Sequence, residues 1–207
     1  MATATSSPVA LGLIALALAT TGCAGNSKPG ASASSGPQPQ GEPGRTTSAA
    51  ALVRGPTATP AGWRTVRIDN GAAMPYPPGW HLVAGDAGTA TAVLPGPHHE
   101  FLGYLNLTLR QGEESLRNWT AFRVAHDARE GDRSVKTLAV GRRLRFRNAR
   151  GACVRDQYTT TTGARYIELA CLVAGRRATS VIVGASPPQS WAQISPSIER
   201  AISAFTT

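Results

Sequence analysis

Alternating hydrophobic and polar residues predict a run of β-strands over most of the chain. The clearest alternation is FLGYLNLTLR at 101–110, where Leu105, Leu107 and Leu109 share one face and polar side chains occupy the other. The same two-residue period, bounded by turn residues, predicts seven further strands, near 63–68, 89–96, 134–140, 142–147, 151–161, 165–173 and 178–185.

Two segments have helical spacing instead. Residues 113–130 begin with two glutamates, which favour the positive end of a helix, and carry an apolar stripe that includes Trp119. A second helix is predicted around 189–205, with Ser195-Pro196 as a start or restart point and Ile198, Ile202 and Phe205 on one face. The pattern therefore predicts an α+β fold, an antiparallel β-sheet with helices packed on it.

A hairpin register follows from the turn between residues 151 and 173. A three-residue loop at 161–163 places Gly163 in the left-handed position that such loops require. In this register the residue numbers of two opposed positions sum to 324, so Cys153 lies opposite Cys171. Opposed cysteines are close enough for a disulfide, which an exported domain can form. The alternative is a pair of buried free thiols.

The N-terminal residues 1–22 are predicted to be a signal peptide. Val9 to Ala24 are uncharged, and the apolar part is shorter than the about 20 residues of a membrane-spanning helix. Thr20-Thr21-Gly22-Cys23 resembles the lipobox of bacterial lipoproteins, which implies that Cys23 is lipidated, although Thr20 stands where that family usually has Leu. The alternatives are a plain signal peptide or an uncleaved anchor.

Composition changes sharply after Cys23. Between residues 24 and 60, 28 of 37 residues are Ala, Gly, Pro, Ser or Thr, and none is aromatic. Such a segment buries too little apolar surface to offset its ordering entropy. Residues 23–61 are therefore predicted to be a lipidated cysteine followed by a disordered linker, and 62–207 to be one domain.

One predicted strand is unusually rich in arginine. The 207-residue chain has a net charge of +9, and RRLRFRNAR at 142–150 concentrates arginine. Alternation with Leu144 and Phe146 would put three guanidiniums on one strand face, where arginine forks suit phosphate and carboxylate. The alternative is an edge strand whose charges block pairing with other sheets. The predicted anion-binding residues are Arg142, Arg143, Arg145, Arg147 and Arg150.

No motif for catalysis, metal or cofactor binding occurs. The sequence lacks HExxH, GxSxG, P-loop, GxGxxG and CxxC patterns. His98-His99-Glu100 and the pair His126 and Glu130 are interpreted as surface residues, with a metal site as the alternative. The register also opposes Asp156 to Glu168, which means either carboxyls with raised pKa, neutralisation by Arg155 or Arg165, or a wrong register.

The predicted elements together resemble the PsbP-like fold, and most closely the LpqN-type lipoproteins of actinobacteria. The resemblance is carried by 63–68, Tyr76-Pro77-Pro78-Gly79-Trp80, Asn118-Trp119, and the closing helix 198–205 after Val181–Val183. It covers the whole domain and implies a non-enzymatic binding or assembly role, without catalytic residues or a cofactor.

We therefore predict a lipoprotein on the extracytoplasmic face of the cell membrane with a binding or accessory role. Its partners would be the membrane itself and an envelope protein, anionic polymer or anionic lipid, whereas nucleic acid is not expected for an exported chain. The alternatives are a carrier of a lipid-like ligand and a hydrolase with an unrecognised site.

Overall fold

The computed structural model describes residues 52–97 and 100–207. The predicted signal peptide, Cys23, most of the predicted linker and His98-His99 lie outside the described residues. Among the described residues, no helix combines the length and the apolar character needed to cross a bilayer.

The described chain contains nine strands and two helices. In chain order they are β1 Arg64–Arg67, β2 Ala73–Tyr76, β3 His81–Val83, β4 Ala90–Pro95, β5 Phe101–Leu109, α1 Trp119–Arg129, β6 Arg133–Phe146, β7 Ala149–Thr159, β8 Arg165–Ala174, β9 Thr179–Ser186 and α2 Pro188–Ala204.

The strands form two antiparallel sheets. A two-stranded sheet pairs β1 with β2, and a seven-stranded sheet has the order β3-β4-β5-β9-β8-β7-β6. The helices pack on opposite faces of the larger sheet. Successive side chains of a strand alternate between faces, and α2 meets Cys171 and Val173 of β8 whereas Trp119 of α1 meets Ala170 and Leu172.

The apolar residues singled out in the sequence fill these two layers. Leu105 and Leu107 are fully buried beneath α2, while Leu109, at the end of β5, is 38% exposed. The predicted docking face of α2 is confirmed, because Ile198, Ile202 and Phe205 are all fully buried. The strands β8 and β9 are buried on both faces, as expected for the middle of a sheet covered on two sides.

The packed chain includes residues that the sequence placed in the linker. Leu52 is fully buried and Val53 is 5% exposed, and both belong to the core beneath α2. The backbone nitrogen of Thr57 donates to the carbonyl oxygen of Ser203 at the end of α2. The segment 52–61 is therefore part of the domain.

The first helix starts later than predicted. α1 begins at Trp119 instead of residue 113, because Ser115 and Asn118 hydrogen-bond each other's backbone nitrogens with their side chains. The Asn118 side chain also donates to the carbonyl oxygen of Glu113. These local bonds hold the preceding residues in a turn that competes with the helix.

The second helix starts where the chain leaves β9. α2 begins at Pro188 and continues through Pro196, so Ser195-Pro196 is neither a start nor a restart. Proline in the first turn loses no intrahelical hydrogen bond. Ile194 and Ile198, on either side of Pro196, are both buried, and their packing against the sheet holds the helix together there.

The two strands predicted at 134–140 and 142–147 form one strand, β6. It is an edge strand, and its register against β7 shifts at three places, between Arg133 and Lys136, Thr137 and Ala139, and Gly141 and Leu144. Bulges of this kind bend a strand and redirect its side chains without ending it.

Candidate functional site

A concentration of arginine lies at one end of the seven-stranded sheet. Strands β6 and β7 are joined by the two-residue turn Arg147-Asn148, in which Asn148 has a φ of 58°. Such turns need left-handed backbone, which asparagine tolerates better than most residues. The five predicted anion-binding residues are all exposed, namely Arg142, Arg143, Arg145, Arg147 and Arg150.

Arg143, Arg145 and Arg147 do not share one strand face as the alternation predicted. The bulge between Gly141 and Leu144 contains Arg143, whose φ is 56°, so the two-residue period is broken there. Arg147 lies in the turn, where one of its guanidinium nitrogens donates to the carbonyl oxygen of Thr57 at 3.1 Å.

What the structure does bring together is Arg145 and Arg150. They are directly opposed on β6 and β7, on the face of the sheet that carries α1. Opposed side chains have Cβ atoms about 4.5–5.5 Å apart, and like charges at that distance destabilise a sheet.

An open groove of about 690 Å³ runs beside this pair. Arg143, Arg145, Arg150 and Arg176 line it, together with Phe146 and the two turns. We call it the arginine groove. Arg176 belongs to the turn between β8 and β9, and Arg177 beside it lines an adjoining hollow with Asn148. Within the described chain, none of the four groove arginines forms an ion pair with a carboxylate.

Arg176 was missed in the sequence, although a signal was present. The register that sums to 324 pairs Arg150 with Ala174, and the structure confirms that pairing. The residues after Ala174 are Gly175-Arg176-Arg177, so the turn that ends β8 had to lie beside Arg150.

A second polar cluster lies beneath α1. Asp127 of α1, Asp156 of β7 and Glu168 of β8 are 2%, 0% and 0% exposed. Asp156 and Glu168 are directly opposed, as the register predicted. The neutralising residue is Arg123 of α1, and neither Arg155 nor Arg165 has this role, since Arg155 pairs with Glu199 of α2 at 2.7 Å.

The guanidinium of Arg123 forms a bidentate pair with the carboxylate of Glu168. Its Nε donates to Oε1 at 2.7 Å and its Nη2 to Oε2 at 2.8 Å, while Nε lies 3.3 Å from Oδ1 of Asp127. Nothing in the sequence pattern identified Arg123 for this role.

One positive charge cannot balance three buried carboxylates. Burial raises the pKa of Asp156 to about 9, and the charge of Glu168 adds to this effect. Burial likewise raises the pKa of Asp127 to about 7, against the opposing influence of Arg123. Both oxygens of Asp156 lack a hydrogen-bond partner among the described residues. Burial and the charge of Glu168 therefore both favour the protonated form of Asp156.

These carboxylates are the described residues that could hold a metal ion, since one oxygen of each lies within 4.8 Å of the others. Carboxylate oxygens suit hard divalent cations. However, Arg123 already binds both oxygens of Glu168 and lies beside Asp127. Its guanidinium supplies the positive charge that a cation would otherwise bring, and we interpret the cluster as the joint between α1 and the sheet.

Neighbouring contacts support that interpretation. The indole nitrogen of Trp119 donates to the carbonyl oxygen of Ala170 at 3.0 Å. The hydroxyls of Tyr104 and Tyr158 lie 3.2 Å apart, and burial raises the pKa of both phenols. α1 is therefore fixed to the sheet by apolar packing and by a buried polar network.

The side chain of His126 lines a small cavity. It is half-buried and stacks on Phe122 with ring centroids 6.2 Å apart, and burial lowers its pKa. Glu130, the partner considered from the sequence, is exposed. The cavity beside His126 has about 220 Å³ and also contacts Arg123 and Trp119.

The disulfide lies in the core under α2. Cys153 and Cys171 are directly opposed, both fully buried, and joined with a Cα–Cα distance of 4.1 Å. Gly163 has a φ of 87° in the loop at 161–163, as the hairpin prediction required. Register, loop and disulfide are all confirmed.

No family model and no curated protein matches the chain. Solved structures do match. A Pseudomonas aeruginosa protein of unknown function, PA94, is 15% identical with a TM-score of 0.48, over 70% of this chain and 96% of its own. Cyanobacterial PsbP (CyanoP) from Synechocystis sp. PCC 6803 is 15% identical with a TM-score of 0.50, over 72% of this chain and 94% of its own. The domain thus has the PsbP-like α+β fold.

Proposed function

We propose that this protein is a cell-envelope lipoprotein of the LpqN type with a non-enzymatic accessory role, whose arginine groove faces the anionic surface of its own membrane. Lipid on Cys23 would hold the chain at the extracytoplasmic face. The PsbP-like domain would then rest on phosphate-bearing headgroups through the arginines at the end of its sheet.

The observation that carries this proposal is the place where the linker joins the domain. Leu52 is buried against β6, near Gly141 and Leu144, the latter lying between Arg143 and Arg145. Thr57 then accepts a hydrogen bond from Arg147. A tether that enters the domain beside the basic segment favours an orientation in which that segment lies towards the membrane.

The charge of this end supports the proposed role. Seven exposed arginines are grouped there, counting Arg142, Arg143, Arg145, Arg147 and Arg150 with Arg176 and Arg177 of the neighbouring turn. Near an anionic membrane each basic residue adds about 1 kcal/mol of attraction. Such an effect weakens with added salt, because exposed charges are screened over about 8 Å at physiological ionic strength.

A carrier role for a lipid-like ligand is less well supported. The cavity between α1 and the sheet has about 220 Å³, below the roughly 300–1,000 Å³ of ligand pockets. The large apolar side chains on both sides of the sheet are buried against one another, including Trp119, Leu105 and Ile198.

The anchoring part of the proposal is tested on the protein from its own host. Intact-mass analysis should show a chain that begins at residue 23 and carries the added mass of diacylglycerol on the cysteine. An unmodified Cys23, or a retained leader, would contradict the lipoprotein assignment whatever the domain binds.

The membrane-facing part is tested with residues 24–207, which lack the anchor but keep the whole described domain. Binding to vesicles of phosphatidylglycerol and phosphatidylcholine is measured for this chain and for Arg145→Glu/Arg150→Glu. Loss of two attractive charges of about 1 kcal/mol each should by itself weaken binding roughly 30-fold, and the two added negative charges should weaken it further.

A matched control is available from two exposed arginines that do not line the groove. Arg165 is exposed at the start of β8, nine residues from the groove end and thus about 30 Å away. Arg64→Glu/Arg165→Glu makes the same change in net charge elsewhere and should weaken binding much less. Equal losses in the two double variants would contradict a membrane-facing groove.

A further inference from the structure

Edge protection does not explain the arginine groove. Charges on an exposed edge strand discourage pairing with other sheets, and this would account for Arg145 on β6. It does not account for Arg150, because β7 is paired on both sides, nor for Arg176 in a turn. The structure has placed like charges together from three separate elements.

The backbone is also unfavourable at this place. Arg143 has a φ of 56°, in the left-handed region that costs a residue with a Cβ about 1–2 kcal/mol. Backbone strain of this kind is concentrated at binding sites. The strained residue lines the same groove as the opposed pair Arg145 and Arg150.

Building on the proposed function, we propose that the arginine groove is a discrete site for a phosphate monoester, held between the guanidinium forks of Arg145 and Arg150 with Arg143 and Arg176 beside it. A phosphate monoester has three acceptor oxygens and a charge of about −1.5 to −2 at neutral pH. It can therefore receive paired hydrogen bonds from more than one guanidinium, whereas a carboxylate offers two oxygens and one charge. The groove has a volume of about 690 Å³, which leaves room for the group esterified to the phosphate.

Two sources present this chemistry, the headgroup of a lipid such as phosphatidic acid and a soluble ester such as glycerol phosphate. The groove is open to solvent, so both can reach it. The site differs from general membrane attraction in requiring the planar fork of arginine, which a lysine ammonium of equal charge does not reproduce.

The test uses the full chain in a non-ionic detergent and titration calorimetry with glycerol 3-phosphate. Binding with one site per chain is expected. Arg145→Lys/Arg150→Lys should weaken it roughly tenfold, because the charge remains and the fork is lost. The matched variant Arg64→Lys/Arg165→Lys, with both changes outside the groove, should bind as the unchanged chain does.

A pH series gives a second readout. The second pKa of a phosphate monoester is about 6, so affinity should rise between pH 5 and pH 7 as the dianion forms. No carboxyl or histidine among the described residues lines the groove, and arginine stays charged throughout. Sulfate, which is a dianion across this range, should bind with an affinity that changes little with pH.

Micelles of the same detergent containing phosphatidic acid distinguish the two sources. If phosphatidic acid in the micelles competes with glycerol 3-phosphate, the site is assigned to a lipid headgroup. If glycerol 3-phosphate binds and phosphatidic acid does not compete, the site is assigned to a soluble ester. Either result supports the site. No binding of glycerol 3-phosphate, or equal binding by the lysine variant, overturns it. The lysine variant keeps the positive charge of the groove. If it still binds anionic vesicles, the proposed function stands even where the phosphate site fails.

Discussion

Arg123 of α1 and Glu168 of β8 are joined by two hydrogen bonds of 2.7 and 2.8 Å across 45 residues of sequence. The side chain of Glu168 is fully buried and that of Arg123 is 15% exposed. The pair thus ties the first helix to the middle of the sheet, at a place where an unpaired charge would be very unfavourable.

Replacement of Arg123 by alanine should strongly destabilise the domain. Glu168 would remain buried beneath α1 without a counter-charge, and breaking a buried ion pair in this way costs about 3–5 kcal/mol. Urea unfolding followed by tryptophan fluorescence measures the change. Arg117→Ala, at an exposed arginine just before α1, should have an effect below about 0.5 kcal/mol.

The double variant Arg123→Ala/Glu168→Gln separates the ion pair from simple loss of packing. Because neither remaining side chain is charged, it should recover a large part of the stability lost in the single variant. If the two variants are equally unstable, the charge of Glu168 is not what Arg123 balances.

Stability should fall as the pH rises from about 4 to about 9. The pKa of Asp156 is about 9 in the folded domain, because of burial first and Glu168 second, and near the ordinary 3.9 in the unfolded chain. Between these values the folded state binds the extra proton, so deprotonation favours unfolding, with a slope of at most about 1.4 kcal/mol per pH unit for this group. Asp127, with a pKa of about 7, adds to the slope up to that pH.

The contribution of Asp156 is isolated with Asp156→Asn, which cannot ionise. The difference in unfolding free energy between this variant and the unchanged chain should shift in favour of the variant as the pH is raised from 5 to 9. A difference that stays constant over this range would show that Asp156 does not hold a proton in the folded state.

The disulfide should contribute mainly by limiting the unfolded chain. It links positions 18 residues apart, and closing a loop of that size stabilises a domain by about 3 kcal/mol in the chain-entropy description. Unfolding of the unchanged chain, with and without a reducing agent, measures the contribution. The hairpin register is also held by the loop at Gly163, so circular dichroism of the reduced protein should still show the folded sheet. A reduced chain as stable as the oxidised one would contradict this account.

The sequence was most informative where local chemistry fixed a long-range pairing. The loop ending at Gly163 determined the register, and the register determined that Cys153 meets Cys171 and that Asp156 meets Glu168. The sheet and the docking face of α2 followed from alternation and helical spacing. The start of α1 was placed too early because side-chain bonds between Ser115 and Asn118 compete with helix formation.

The two polar sites were harder to predict, because each joins elements that are distant in sequence. Arg123 meets Glu168 only once α1 lies on the sheet, and periodicity does not reveal which helix face meets which strand. The arginine groove depends on a bulge at Arg143 that breaks the strict alternation assumed for 142–147. It also depends on Arg176, which reaches Arg150 through the pairing of β7 with β8.

Arg143 offers a test in which stability and binding move in opposite directions. Its φ of 56° costs an arginine about 1–2 kcal/mol, a penalty that glycine does not have. Glycine also lowers the free energy of unfolding by about 0.4–1 kcal/mol, because it gives the unfolded chain more freedom. Arg143→Gly should therefore be more stable than the unchanged protein by roughly 0.5 kcal/mol, while its affinity for glycerol 3-phosphate falls.

Its neighbour Arg142 provides the control. Arg142 is also exposed, does not line the groove, and is not among the described residues with positive φ. Arg142 lies in the same bulge without a positive φ, so glycine relieves no strain there and is destabilising by roughly 0.5–1 kcal/mol. Arg142→Gly should therefore lose stability and keep its phosphate affinity. Urea unfolding and calorimetry on the same two preparations give both quantities. If the two variants behave alike in both measurements, the strained backbone at Arg143 does not serve the groove.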